Sequence, residues 1–123
     1  QSPYLAILRD AMAEFGSMDV SLPQGPPAYQ YGEPDRLKTL LGASGLSVLR
    51  VFEVPILVRM RNEADVLTAL LEGGVRSRKL LEAQTPQALE KITEFAMERA
   101  RAFRTGEWIE IPRPALIGVA LRP

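Results

Sequence analysis

"YGEPDRLKTLLGASGL", residues 31–46, runs directly into "SVLRVFEVPILV", residues 47–58, and the join between them decides the architecture. Pro34 suits a first helical turn, where a missing N–H removes no bond, and Asp35 favours the positive end of the helix dipole. Leu37, Leu40 and Leu41 form an apolar stripe, and Gly45 supplies a left-handed stop, so the spacing predicts a helix over 34–45. The run that follows is β-branched and apolar on both faces. It predicts one strand over 47–58, covered on both sides and bent or unpaired at Pro55. The glycines of "GASG", 42–45, fall at the end of the helix. A phosphate site needs N–H groups at a helix start, so these glycines read as a cap.

Upstream, Leu5, Leu8, Met12 and Phe15 recur at helical spacing and predict a helix over 3–15. Residues 16–33, "GSMDVSLPQGPPAYQYGE", carry three prolines and no sustained period, the mark of a long irregular loop. Loops of that length within a compact domain are often functional. Downstream, Asn62 is an N-cap for a helix with Val66, Leu67, Leu70 and Leu71 as its stripe, and a short helix follows around 77–83; together they make a helical segment over 62–84. Thr85-Pro86 opens the clearest helix, 86–105, with Leu89, Ile92, Ala96 and Phe103 on one face and Gly106 beyond its end. Its Glu and Lys residues form a solvated face. Residues 108–121 then return to strand character, broken at Pro112 and Pro114 and ending in the apolar run Ala115 to Leu121.

Composition narrows the chemistry. The 123 residues suit a single domain, 1–123. Fifteen Lys plus Arg balance fifteen Asp plus Glu, so no overall field draws the chain to nucleic acid or an acidic membrane. Neither Cys nor His is present. That excludes disulfides, thiolate or Ser-His nucleophiles and ordinary zinc sites from this chain's own residues, and leaves carboxylates, Lys, Tyr and hydroxyls for chemistry. The absence of Cys fits a reducing cytoplasm, and no apolar stretch has the length of a membrane span. Gln1 in place of Met, directly before a helical segment, reads as a start cut from something longer or trimmed.

Three segments carry a family resemblance: "YQYGEPDRLKTLLGASGLSVLRVFEVP" at 29–55, "LLEGGVRSRKLLEAQTP" at 70–86 and "FRTGEWIEIPRPALIGVALRP" at 103–123. Together they resemble the C-terminal half of a class I S-adenosylmethionine-dependent methyltransferase, of the branch related to the quinone-biosynthesis enzymes. The first resembles the family's Phe-Gly-Asp-Pro helix leading into its sixth strand, although Tyr31 and Glu33 stand where the family has Phe and Asp. The last resembles the seventh strand with its preceding Pro-x-Pro.

The resemblance implies the C-terminal portion of a Rossmann-like α/β fold, seen as α+β in an isolated chain: two long antiparallel strands with four to five helices. Ala115–Leu121 would pair with Val48–Val54, and the helices between these strands would form a lid over the acceptor. The cofactor-binding strands and glycine-rich loop precede the matched region in the family and are unmatched here, so the chain alone is expected to bind no S-adenosylmethionine, to carry no catalytic or metal-ligating residue and to be inactive. Met18, Tyr29, Tyr31, Val75 and Arg76 would face a small organic acceptor: the aromatics and the thioether by apolar contact, the guanidinium by holding an anionic group. The expected partner is the missing N-terminal half or a second copy of the chain, in a cytoplasmic setting. The alternative is a stand-alone α+β module that self-associates or binds an apolar ligand without catalysis.

Overall fold

The computed structural model describes residues 2–27 and 29–123. It contains five helices and five strands: α1 (Pro3–Phe15), α2 (Pro34–Ala43), β1 (Ser47–Val54), β2 (Leu57–Met60), α3 (Glu63–Glu72), α4 (Val75–Glu82), α5 (Pro86–Arg101), β3 (Arg104–Thr105), β4 (Trp108–Pro112) and β5 (Ala115–Leu121). The strands form two small antiparallel sheets, so the class is mixed α+β. Prolines open α1, α2 and α5, where the first-turn N–H groups have no helical partner in any case. The Thr85 hydroxyl caps α5 by accepting from the Ala88 N–H at 3.2 Å, and the Asp65 carboxylate accepts from the Asn62 N–H at the start of α3.

Contacts divide the chain into two compact units, residues 24–56 with 114–123 and residues 2–23 with 57–113. The first, the strand-pair unit, holds α2, β1 and β5. β5 pairs antiparallel with β1, from Ser47↔Leu121 to Val54↔Ala115, as the resemblance implies. A bulge at Leu49 shifts the register between Val48 and Arg50. Helix α2 lies on one face of the pair. A methyl group placed on Gly118 would come within 2.7 Å of Leu41 Cδ1 and 3.2 Å of Leu37 Cδ2, so the absence of a side chain there is what lets the helix approach. Phe52 and Ile117 are paired one step along from Val51 and Gly118 and therefore point to the opposite face, where the Arg50 guanidinium lies 4.4 Å from the Phe52 ring centroid. No residue of α2, β1 or β5 is fully buried. The expectation of strands covered on both faces therefore fails in this unit: one helix covers one face.

The second, the helical unit, contains every buried apolar residue among those described. Ile92, Ala96 and Ala100 make the buried stripe of α5. They meet Ile7, Ala11 and Met12 of α1, Val66 and Leu70 of α3, Leu81 of α4, and Ile109 and Ile111 of β4 in one cluster. Four-residue spacing on α5 and alternation on β4 place these side chains on one side of each element. The three-stranded sheet runs β2-β4-β3, with Leu57↔Pro112 and Thr105↔Trp108 as end pairs.

Several boundaries differ from the sequence reading. The strand expected over 47–58 is two strands in two sheets, because Pro55 lacks the N–H a continuous ladder requires. The strand expected over 108–121 divides likewise at Arg113-Pro114. Helix α2 stops at Ala43, two residues short, with Gly45 at φ 78° beyond it. Helix α5 ends at Arg101, not 105, because residues 104–105 are taken by the β3–β4 hairpin. Gly106, at φ 64°, holds the first place of its two-residue loop, the position that demands positive φ. Leu89 lies off the buried stripe of α5, and Leu40 faces outward from α2.

Candidate functional site

The five candidate residues fall into the two units. In the strand-pair unit, Tyr29 and Tyr31 flank a tight turn in which the Gly32 N–H donates to the Tyr29 carbonyl at 3.0 Å. Both rings are exposed, Tyr29 the more so. Tyr31 lines an open groove of about 480 Å³ along the outer side of α2, with Asp35, Arg36, Thr39, Leu40 and Ala43. Its apolar floor comes from Leu40 and Ala43 and its polar rim from the α2 side chains. Such a surface offers contact and orientation, and no activated nucleophile.

In the helical unit, Met18 sits on a strap, residues 16–23, fastened to α4 and to Gln84 two residues beyond its end. The Ser17 N–H donates to Gln84 Oε1 at 2.7 Å. Gln84 Nε2 in turn donates to the Ser17 carbonyl at 3.0 Å and to the Leu80 carbonyl at 2.7 Å, so one amide side chain holds the strap from both sides. At the other end, Arg76 Nη1 reaches the Pro23 carbonyl at 3.5 Å, a long contact that leaves most of its donors free. Met18 is 63% and Val75 77% exposed. Gln84 escaped the sequence reading. Its only trace there is a polar residue between the end of a leucine-bearing helix and a Thr-Pro cap.

Leu67, Leu70, Leu71, Leu80 and Leu81 belong to the core. Leu70 and Leu81 are buried in it, and the other three pack against it partly exposed.

A second cluster lies on the outer face of the three-stranded sheet. Ile109, Ile111, Val58 and Met60 point into the core, so the alternate residues Arg59, Trp108 and Glu110 point out. The guanidinium carbons of Arg61 and Arg59 lie 4.6 and 5.4 Å from the Trp108 ring centroid. Arg59 Nε donates to Glu110 at 2.9 Å. Arg101 and Arg104 both donate to Glu63 Oε1, at 3.3 and 3.2 Å. The Glu63 carboxyl is held below the usual carboxylate range by its own backbone N–H first, and then by hydrogen bonds from Arg104 and Arg101. The alternation in "LVRMR", 57–61, with a single Trp downstream was the available sequence signal for this face. Elsewhere, burial pushes the Tyr4 phenol up, opposed in part by Arg113, whose guanidinium lies 5.4 Å from the ring.

Among the described residues no group of acidic side chains is arranged to hold a metal ion, and no helix is long and apolar enough to cross a membrane. Comparison with known proteins finds no matching family, no matching curated relative and no matching solved structure.

Proposed function

We propose that this chain is the acceptor-side, sheet-completing part of an S-adenosylmethionine-dependent methyltransferase acting on a small organic molecule. The observation that carries the reading is the strand-pair unit: two apolar strands with no buried residue, a helix on one face only, and a pairing order in which the long segment 55–114 intervenes between β1 and β5. A two-stranded sheet with an apolar open face is a poor structure by itself and a natural edge for a larger one. The missing strands would carry the glycine-rich loop that holds the cofactor. In this reading Met18, Tyr29, Tyr31, Val75 and Arg76 contact the acceptor. Alignment of the acceptor with the sulfonium methyl is the main catalytic demand of such a transfer, and it needs neither His nor Cys from these residues. The test is the coding sequence upstream, read in frame, and the longer product it encodes. The expected result is a strand leading into a glycine-rich loop, with saturable S-adenosylmethionine binding by the longer product and none by residues 1–123. Tight binding by residues 1–123 alone, or a start codon at or near Gln1, would overturn it.

A second reading is favoured by the exposure of Ile117 and Leu121 on β5, whose outer edge is unpaired among the described residues. In it the chain is a self-associating α+β module without catalysis, in which the strand edges of two copies meet. A concentration-dependent dimer together with a start codon at or near Gln1 would favour it.

A further inference from the structure

The Arg-Trp face of the helical unit lies outside the residues assigned to the acceptor, and its geometry points to a partner. β2 is the edge strand of its sheet, so one row of its N–H and C=O groups is unpaired among the described residues. Leu57, Arg59 and Arg61 alternate along it on the solvent side, and Leu57 is 54% exposed. Two guanidiniums, those of Arg59 and Arg61, lie over Trp108 on this face; Arg104 pairs with core-facing Ile109 and so belongs to the other side of the sheet. Glu110 takes Arg59, and Glu63 is shared by Arg101 and Arg104. Among the described residues neither Arg61 nor Glu107, on the adjacent hairpin loop, makes an ion pair. The Arg61 guanidinium lies over the Trp108 ring, 4.6 Å from its centroid, and among the described residues its N–H groups make no hydrogen bond, so they can bind a carboxylate through two parallel bonds.

We propose that the open edge and outer face of β2 bind an extended acidic peptide segment of a partner protein as a further strand, with a carboxylate on Arg61, a second near Arg59 and an apolar side chain on Leu57. Strand addition supplies main-chain bonds, and side chains two residues apart fall on the same face, so the segment carries its acidic, acidic and apolar residues at alternate positions. Carboxylates are favoured over nucleic-acid phosphates for two reasons: the neighbouring Arg59 guanidinium already holds a carboxylate, that of Glu110, and the chain's zero net charge provides no field for a polyanion.

Trp108 is the only tryptophan, so its emission reports the site directly. The probe is an acetylated six-residue peptide, Glu-Thr-Glu-Thr-Val-Thr (the Glu-Val peptide), which presents Glu, Glu and Val on one strand face, compared with its counterpart carrying Lys in place of both Glu (the Lys-Val peptide) and with an oligothymidylate, at low and high salt. Saturable quenching by the Glu-Val peptide alone, weakened by salt, is expected, together with slower hydrogen exchange at the β2 amides. Arg61→Gln is expected to weaken binding about tenfold, the scale of one charge-assisted pair, while Arg78→Gln on α4 leaves it unchanged. If Arg61→Gln fails to fold, Leu57→Asp, at an exposed strand position, reads the same contact and is expected to weaken binding. Any of four results overturns the proposal: no saturation, equal binding of the Lys-Val peptide, tighter binding of the oligothymidylate, or indifference to both substitutions.

Discussion

The helical unit and the strand-pair unit are built from similar sequence material and reach different ends. Both contain apolar strands and proline-started helices. In the helical unit four helices and a sheet face enclose Ile92, Ala96, Ile109 and Ile111 with almost no exposure; in the strand-pair unit Leu37 and Leu41 touch the sheet at Gly118 while Phe52 and Ile117 face the other way. Apolar composition gives a segment something to bury. Whether it is buried depends on how many elements arrive to cover it.

Four measurements break or sharpen that contrast. The largest effect is expected for Ile92→Ala, at a fully buried position, with a loss of about 2–5 kcal/mol in chemical denaturation followed by Trp108 emission. Leu40→Ala, at an exposed position of α2, is expected to change stability by less than about 0.5 kcal/mol. Equal losses at the two sites would erase the contrast. Next, Gly118→Ala places a methyl against Leu41 and is expected to cost about 1–3 kcal/mol, read as faster hydrogen exchange in β1 and β5 with the Trp108 transition unmoved. A matching shift at Trp108 would show that the two units unfold as one. Third, light scattering is expected to show the chain associating as concentration rises, and Ile117→Lys, a charge on the exposed face of β5, to keep it monomeric with little change in stability. A monomeric, well-folded chain at high concentration would mean that β5 needs no neighbour.

The smallest effect concerns Glu63. Its folded carboxyl titrates below the unfolded value, so the stability it contributes is present above the ordinary glutamate range and is lost as the pH falls through the lower folded value. Urea midpoints measured from neutral pH down through that range should show the loss, and Glu63→Gln should flatten that part of the profile. An unchanged profile would mean that neither its own backbone N–H nor Arg104 and Arg101 bias this carboxylate.

Local chemistry made much of this fold legible. The start of α5 at Pro86 follows from the Thr85 cap, and α1 occupies the residues its period predicts, because cap geometry and helical spacing act over a few residues. The two-residue strand β3 was not legible. Nothing in Arg104-Thr105 itself favours a strand, and the pairing exists because Gly106 folds the chain back onto Trp108. The division of 47–58 into two sheets was only half legible: Pro55 marked an interruption, but the partners of the two halves are set by residues far along the chain. The candidate site is less legible still. Tyr29 and Met18 were singled out for lying in a long loop, and exposure is what the structure gives them; the side chain that organises the Met18 strap is Gln84, a distant residue that no motif announces.

The Leu57↔Pro112 pair has a kinetic consequence. β1 and β5 are joined through the whole intervening segment, a long loop to close in an unfolded chain. Once the helical unit has formed, that pair already holds the two ends of the segment side by side, and Val54 and Ala115 stand only three residues beyond it on either strand. A roughly tenfold shorter effective loop lowers the closure entropy by about 2 kcal/mol. The strand pair is thus a late, locally zipped event that waits on its neighbour's core. During synthesis from the N-terminus, β1 emerges well before its partner and stays without it until β5 has left the ribosome.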